Sequence, residues 1–199
     1  MKNKFVLGFV MISIVALLSS CAKVPQAEID AANAAIEEAR GVAADVYVPA
    51  EFAALQDSMN SINAMVEAQK GKLFGSFTAV KEKLAAVTTQ AATVKTNAET
   101  RKAEVQAEIE TLLTEVTALV GQNKELVGKA PRGKEGAAAV EAIKTEIGVI
   151  ETTVTEATGL RDSGNLVGAL DKLKAAKEKA TAINTELQDV IAKKAGVRK

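Results

Sequence analysis

Cys21 carries the only thiol of the chain and is its most reactive side chain. The chain contains no histidine. Without histidine no Ser-His-Asp or Cys-His arrangement can form, and the commonest general base and zinc ligand are missing. A single cysteine also cannot form a disulfide within the chain. We therefore expect Cys21 to be a site of covalent modification rather than a catalytic nucleophile.

The residues before Cys21 have the layout of a bacterial secretion signal. Residues 1–4 form a short basic segment, and residues 5–18 form an apolar run. That run is shorter than the roughly 20 residues that cross a bilayer, so it is typical of the hydrophobic part of a signal peptide. The sequence therefore predicts that the protein is exported.

Leu18, Ser19 and Ser20 lead directly into Cys21, and this ending resembles the lipobox of bacterial lipoproteins. The resemblance implies that the signal peptide 1–20 is removed and that the Cys21 thiol carries a diacylglyceryl group, with acyl chains of the palmitate type. Several such chains anchor a protein firmly, since each buried methylene contributes about 0.8 kcal/mol. The alternative is an ordinary signal peptide that is cleaved nearby and leaves Cys21 as a spare thiol.

The residues after Cys21, Ala22 and Lys23, lack the aspartate that retains lipoproteins in the inner membrane. By resemblance to lipoprotein sorting in bacteria with two membranes, the expected location is the outer membrane, facing the periplasm.

The chain ends in Arg198 and Lys199. A lipidated first residue and a terminal lysine resemble the two ends of Braun's lipoprotein, whose terminal lysine is joined through its side chain to peptidoglycan. That resemblance makes Lys199 a candidate attachment point. Alternatives are a frayed basic terminus and a noncovalent contact with anionic wall or membrane components.

The charge of the chain argues against nucleic acid as a partner. Lysine plus arginine and aspartate plus glutamate both number 25. Because residues 1–20 hold two lysines and no acid, the mature chain would carry 23 basic against 25 acidic side chains, a net charge of about −2. Electrostatic binding of nucleic acid calls for a clear excess of positive charge.

Apolar residues recur at spacings of three and four throughout the chain after Cys21, which is the pattern of amphipathic helices. The predicted fold is all-α, an elongated bundle of about five helices with one long central helix. Hydrophobic residues make up 48% of the chain but aromatics only 3%, so we expect thin helix seams rather than deep pockets. The predicted seams are Ile29, Ala32, Ile36 and Ala39; Phe52, Leu55, Met59, Ile62 and Val66; Phe77, Val80, Leu84, Val87, Ala91, Val94 and Ala98; Val105, Ile109, Leu112, Val116 and Leu119; Val140, Ile143, Ile147, Ile150, Val154 and Ala157; and Leu166, Leu170, Leu173, Ala176, Ala180, Ile183, Leu187 and Val190.

The long helix is predicted to begin at about Ser76 and to run without Pro or Gly as far as Gly121, on the order of 70 Å at 1.5 Å per residue. Its apolar seam slips between residues 96 and 104, where Arg101 falls on the seam. Such a slip either unwinds a coiled coil locally or marks a change of packing partner, and we expect the second. The expected division is a signal peptide 1–20, a lipidated tether and first helix 21–48, a hairpin with the long helix 49–127, and a second hairpin 128–199.

Residues 75–84 align with residues 164–173 at a spacing of 89, which suggests an internal repeat. Two unrelated hairpins of similar composition are the alternative. Each segment, a helix, a glycine-containing turn and a second helix, resembles a tetratricopeptide hairpin, although the Trp, Tyr and Pro pattern of that family is missing. Residues 27–95 resemble an uncharacterised helical domain of bacterial envelope lipoproteins, a likeness that rests on the Ala-rich first helix, on Tyr47 to Glu51 and on Gly75 to Ala79.

No pattern for a reaction stands out after Cys21. Residues 71–75 lack the strand and the Lys-Ser/Thr ending of a phosphate loop, and residues 162–165 are too short for a calcium loop. Glu37, Glu38 and the acids between residues 99 and 115 are expected on solvated helix faces.

We therefore expect a non-catalytic scaffolding lipoprotein without cofactor or metal, which self-associates at most. The alternatives are a tetratricopeptide-like adaptor for a periplasmic protein or peptide, a peptidoglycan tether through Lys199, and an enzyme with a carboxylate-lined cleft.

Overall fold

A computed structural model of the chain describes residues 23–131 and 134–196, and every regular element in these ranges is an α-helix. This confirms the predicted all-α class for the described residues, including the long helix. The helices are α1 (Gln26–Gly41), α2 (Ala44–Tyr47), α3 (Pro49–Lys70), α4 (Thr78–Lys129), α5 (Lys134–Asp162) and α6 (Leu166–Gly196).

The described residues fall into two compact units that divide between Arg101 and Lys102, inside α4. The first unit contains α1, α2, α3 and the first part of α4, and the second contains the rest of α4 with α5 and α6. The sequence-based division at residue 128 falls within the second unit, between its first two helices.

The connection from α1 to α3 contains an element that the sequence did not predict. Ala43 has a φ of 61°, in the left-handed region, and leads into the four-residue helix α2. Pro49 then occupies the first turn of α3, where its missing N–H costs nothing. The Arg40 guanidinium lies 5.5 Å from the centre of the Phe52 ring and joins the two ends of the connection.

In the first unit α1 and α4 run parallel. Glu28 pairs with Lys81 at 2.9 Å, and Glu38 pairs with Lys95 at 3.0 Å, so residue numbers increase in the same direction along both helices. Helix α3 runs the other way, because the Asn97 amide donates to Glu51 near the start of α3 while Ser76 contacts Gln69 near its end.

The first unit is thus an up-down-up bundle. Its core consists of Ala32, Ile36, Ala39, Ala44, Phe52, Leu55, Met59, Ile62, Val66, Phe77, Val80, Leu84, Val87, Ala91, Val94 and Ala98.

The second unit has the same helix directions. Glu110 pairs with Arg161 at 2.9 Å and Lys124 with Glu151 at 2.6 Å, which makes α4 and α5 antiparallel. Helix α6 lies parallel to α4. Glu108 pairs with Lys174 and Glu115 with Lys177, so later residues of α4 pair with later residues of α6. One core cluster of this unit contains Val116, Val120, Val127, Ala130, Ile143, Ile147, Ile150, Ala176, Ala180, Ile183 and Leu187.

The buried seam of α4 departs from the predicted one after Val116. Leu119 is only half-buried, and Val120, Asn123 and Val127 are buried instead. A pattern search for apolar residues cannot follow this seam because one of its positions is the polar Asn123. At the end of α6, Val190 is 37% exposed rather than part of the seam.

The predicted change of packing partner along α4 is confirmed. Residues 99–104 are all exposed, so the buried seam passes from Ala98 to Val105 without a core residue between them. Before this stretch the ion pairs of α4 reach α1, and after it they reach α5 and α6.

The first part of α4 and α6 share one buried register. Seven pairs of residues 89 apart are buried, the first at or just before the start of each helix: Phe77 and Leu166, Val80 and Ala169, Leu84 and Leu173, Val87 and Ala176, Ala91 and Ala180, Val94 and Ile183, Ala98 and Leu187. The sequence repeat at this spacing therefore coincides with a repeat of helix packing.

Candidate functional site

The residues that sequence analysis singled out for chemistry lie outside the described residues. These are the lipobox residues Leu18, Ser19 and Ser20, the cysteine Cys21, and the terminal Lys199. The structure describes the chain from Lys23 onwards, and that segment is where a lipid anchor would meet the fold.

The chain joins the fold within four residues of Cys21. Pro25 is buried, and Val24 packs against the core of the first unit. The Pro25 carbonyl accepts the Ile29 N–H at 3.1 Å, which starts the backbone ladder of α1. An anchor at Cys21 would therefore hold the first unit by a very short connection.

The turn between α3 and α4 lies at the same end of the first unit. Val24, Leu73 and Phe77 line one shallow cavity together, so the start of the described chain lies beside this turn. We call residues 71–75 the α3–α4 turn.

Backbone and side-chain contacts fix the shape of the α3–α4 turn. The Gly71 and Lys72 N–H groups donate to the Glu67 and Gln69 carbonyls at 3.3 and 3.1 Å. The Ser76 N–H donates to the Gln69 side-chain oxygen at 3.3 Å. Gly75 packs directly on the Gln69 carbonyl, and a Cβ there would overlap that oxygen.

Two large apolar side chains project from this turn into solvent. Leu73 is 87% exposed and Phe74 is 86% exposed, far more than any other large apolar residue in the described chain. Lys72 is exposed beside them, and Lys70 pairs with Glu67 at 2.7 Å. The sequence pattern of residues 71–75 predicts a turn between two helices that lacks the features of a phosphate loop, and it predicts no ligand. The available signal was an adjacent Leu and Phe at a position where helix connections are usually polar.

Many carboxylates of the described chain pair with lysine or arginine on helix surfaces. A hydrogen bond from Lys81 lowers the pKa of Glu28, and a hydrogen bond to Glu38 raises the pKa of Lys95. Asp162, and secondarily Glu110, raise the pKa of Arg161. These shifts come from ion pairs on the exposed helix surface, where solvent screens the interaction, so they do not indicate a reactive site. Within residues 23–131 and 134–196 no group of acidic or cysteine side chains is arranged to hold a metal ion.

One buried polar network lies in the second unit. Asn123 donates to the Ala180 carbonyl at 2.8 Å and accepts from the Asn184 amide at 2.7 Å. Asn184 in turn accepts from Gln188 at 2.7 Å. A satisfied Asn in a helix seam fixes the register between two helices, so this network has a structural explanation.

An open groove of about 420 Å³ lies between α3 and α4 in the first unit, with Asp57, Ser61, Lys83 and Gln90 among its lining residues. Its openness to solvent suits the binding of a chain segment better than the enclosure of a small substrate.

None of the described helices has the length and apolar content needed to cross a membrane. Comparison of the chain with family models, curated proteins and solved structures found no match.

Proposed function

We propose that this protein is a lipid-anchored scaffolding protein of the bacterial cell envelope, attached through Cys21 to the outer membrane and facing the periplasm, without catalytic activity. The observation that carries the proposal is the lipobox-like ending Leu18, Ser19, Ser20 and Cys21, placed four residues before Pro25 enters the fold. A lipid on Cys21 would therefore hold the folded bundle directly at the membrane surface.

The described surface supports a scaffolding role. Several of its charges form pairs between neighbouring helices, and the buried Asn123 of the second unit is satisfied by contacts to α6. Such an arrangement stabilises helix register and leaves broad mixed-charge faces towards solvent.

The test is intact-mass analysis of the full chain extracted from membranes of a producing bacterium, with Cys21→Ala as the matched control. We expect the native protein to lack residues 1–20 and to carry added acyl mass, and the Cys21→Ala protein to lack that mass and to leave the membrane fraction. A native protein that retains residues 1–20, or that shows an unmodified Cys21, would contradict the proposal.

The same sample tests the peptidoglycan tether. After digestion of the wall, a muropeptide mass on Lys199 would establish a covalent link, and a Lys199→Arg variant should then lose it. A free Lys199 together with an acylated Cys21 would agree with the anchored scaffold and would rule out the covalent tether.

The adaptor function has one specific observation in its favour, the open groove between α3 and α4. An adaptor should lose a defined periplasmic partner when a groove residue such as Ser61 or Gln90 is replaced by a bulky residue. A scaffold should tolerate these replacements, because both side chains are exposed.

A further inference from the structure

We propose that the α3–α4 turn is a second membrane contact, which inserts Leu73 and Phe74 into the interface of the bilayer that holds the lipid on Cys21. The inference rests on the proposed lipid anchor and adds to it a protein surface with a defined orientation towards the membrane.

A tight connection between two helices does not need exposed apolar side chains such as Leu73 and Phe74. In the second unit the corresponding connection between α5 and α6 consists of Ser163, Gly164 and Asn165, and it reverses the chain with polar residues alone. There Gly164 adopts a φ of 86°, and Asn165 caps α6 by accepting the Gly168 N–H at 3.0 Å. The adjacent Leu73 and Phe74 therefore call for an apolar environment that the described chain does not supply.

The position of the turn selects the bilayer as that environment. Leu73 lines the same cavity as Val24, and Val24 is three residues from Cys21. Three residues of extended chain span at most about 11 Å. Any membrane that takes up acyl chains from Cys21 must then lie close to the α3–α4 turn.

The charges around the turn fit a membrane surface. Lys72 is exposed within the turn, and Lys23 is exposed two residues after Cys21. The nearby acids Glu67 and Glu28 are each paired, with Lys70 and Lys81. Exposed lysines beside apolar side chains suit an interface of anionic headgroups and acyl chains.

The turn is also held in one shape before any contact with lipid. The hydrogen bonds to Gln69 and the close packing of Gly75 on its carbonyl keep Leu73 and Phe74 at the tip. A fixed tip loses little conformational freedom on insertion, which favours binding.

The experiment uses the full, membrane-extracted protein in vesicles of phosphatidylethanolamine and phosphatidylglycerol with brominated acyl chains. Because the chain contains no tryptophan, Phe74→Trp supplies a single fluorophore at the tip. Val46→Trp is the matched control, since Val46 is 52% exposed in α2, at the opposite end of the first unit. Acylation of each variant is verified by intact mass.

We expect Phe74→Trp to emit at shorter wavelength than Val46→Trp and to be quenched several-fold more strongly by the bromine atoms. Adding Lys72→Glu to Phe74→Trp should weaken that quenching, and unchanged quenching would overturn the role given to Lys72. With acylation verified, equal quenching of the two tryptophans would overturn the membrane contact while the lipoprotein proposal stands. A blue shift without bromine quenching would also overturn it, in favour of a protein partner or a second copy. Absence of acyl mass would overturn the anchor and the contact together.

Discussion

Gly75 illustrates how a single residue fixes the shape of the α3–α4 turn. A Cβ at this position would overlap the Gln69 carbonyl, whereas a Cβ at Gly71 would come no closer than 4.0 Å to the Glu67 carbonyl. The two glycines lie in the same turn, but only Gly75 is required by close backbone contact.

Replacement of Gly75 by alanine should therefore destabilise the protein by about 1 to 3 kcal/mol, because the turn must shift to admit the methyl group. Gly71→Ala is the matched control and should be neutral or slightly stabilising, since it reduces the freedom of the unfolded chain at a compatible site. Thermal unfolding followed by circular dichroism measures both. Equal melting temperatures for the two variants would show that the turn is not tightly packed.

Tyr47 provides a pH prediction, because it is the only tyrosine of the chain. Burial raises its pKa above the usual 10.0. A raised folded-state pKa means that the contribution of Tyr47 to stability is complete below pH 10.0 and is lost as the pH rises through the folded-state pKa.

The absorbance of ionised tyrosine should therefore titrate at higher pH in the folded protein than in the same protein unfolded in urea. A coincident midpoint in the two states would mean that the α1–α3 connection leaves the Tyr47 hydroxyl fully hydrated.

At the scale of helices, α6 has a buried seam whose spacing repeats that of the first part of α4. Leu173 is fully buried at its centre, whereas Leu73 lies on the exposed tip of the α3–α4 turn. The same substitution can therefore be made in a core and on a surface of one protein.

Leu173→Asp should cost several kcal/mol, on the order of 3 to 5, because it leaves a cavity and buries an unpaired charge. Leu73→Asp should leave the melting temperature nearly unchanged. Denaturant unfolding of the two variants beside the native chain measures the difference, and a native-like midpoint for Leu173→Asp would show that the α6 seam is not buried.

The sequence is sufficient to predict most helices because their core residues are Leu, Ile, Val and Ala at regular spacing. Helix ends were predictable at Pro49 and Gly71, where backbone chemistry is decisive. The short helix α2 was missed because four residues carry no periodicity, and the seam near Leu119 was wrong because Asn123 takes a buried position through hydrogen bonds to α6.

Prediction of the candidate site was less complete for a physical reason. The lipobox-like ending at Leu18 to Cys21 is a local pattern, so it can be proposed from adjacent residues. The proximity of Val24 to Leu73 depends on the folding of α1, α3 and α4 against one another, and no local pattern encodes it.

Across the whole chain, the feature that joins the two units is the continuous helix α4, 52 residues long. Its residues 99–104 are all exposed, although Ala98 before them and Val105 after them are buried. Only backbone hydrogen bonds and surface side-chain interactions stabilise the helix in this stretch.

Amide hydrogen exchange should therefore be fastest, within the interior of α4, at residues 99–104. The stretch between Leu84 and Val94, which is helical and packed, serves as the internal control. The difference follows from local opening, which needs less free energy where no core contact is broken. Uniform protection along α4 would contradict it.

The short passage from Cys21 to the first helix has a consequence for how this protein would meet its partners. Val24 already packs against the core of the first unit, so only residues 22 and 23 lie between Cys21 and the fold. Three extended residues from Cys21 to Val24 span at most about 11 Å, so the first unit would remain within a thin layer beside the bilayer. Encounters would then depend on lateral diffusion in the membrane plane, and a partner anchored in the same leaflet would be met at a far higher effective concentration than one dissolved in the surrounding compartment.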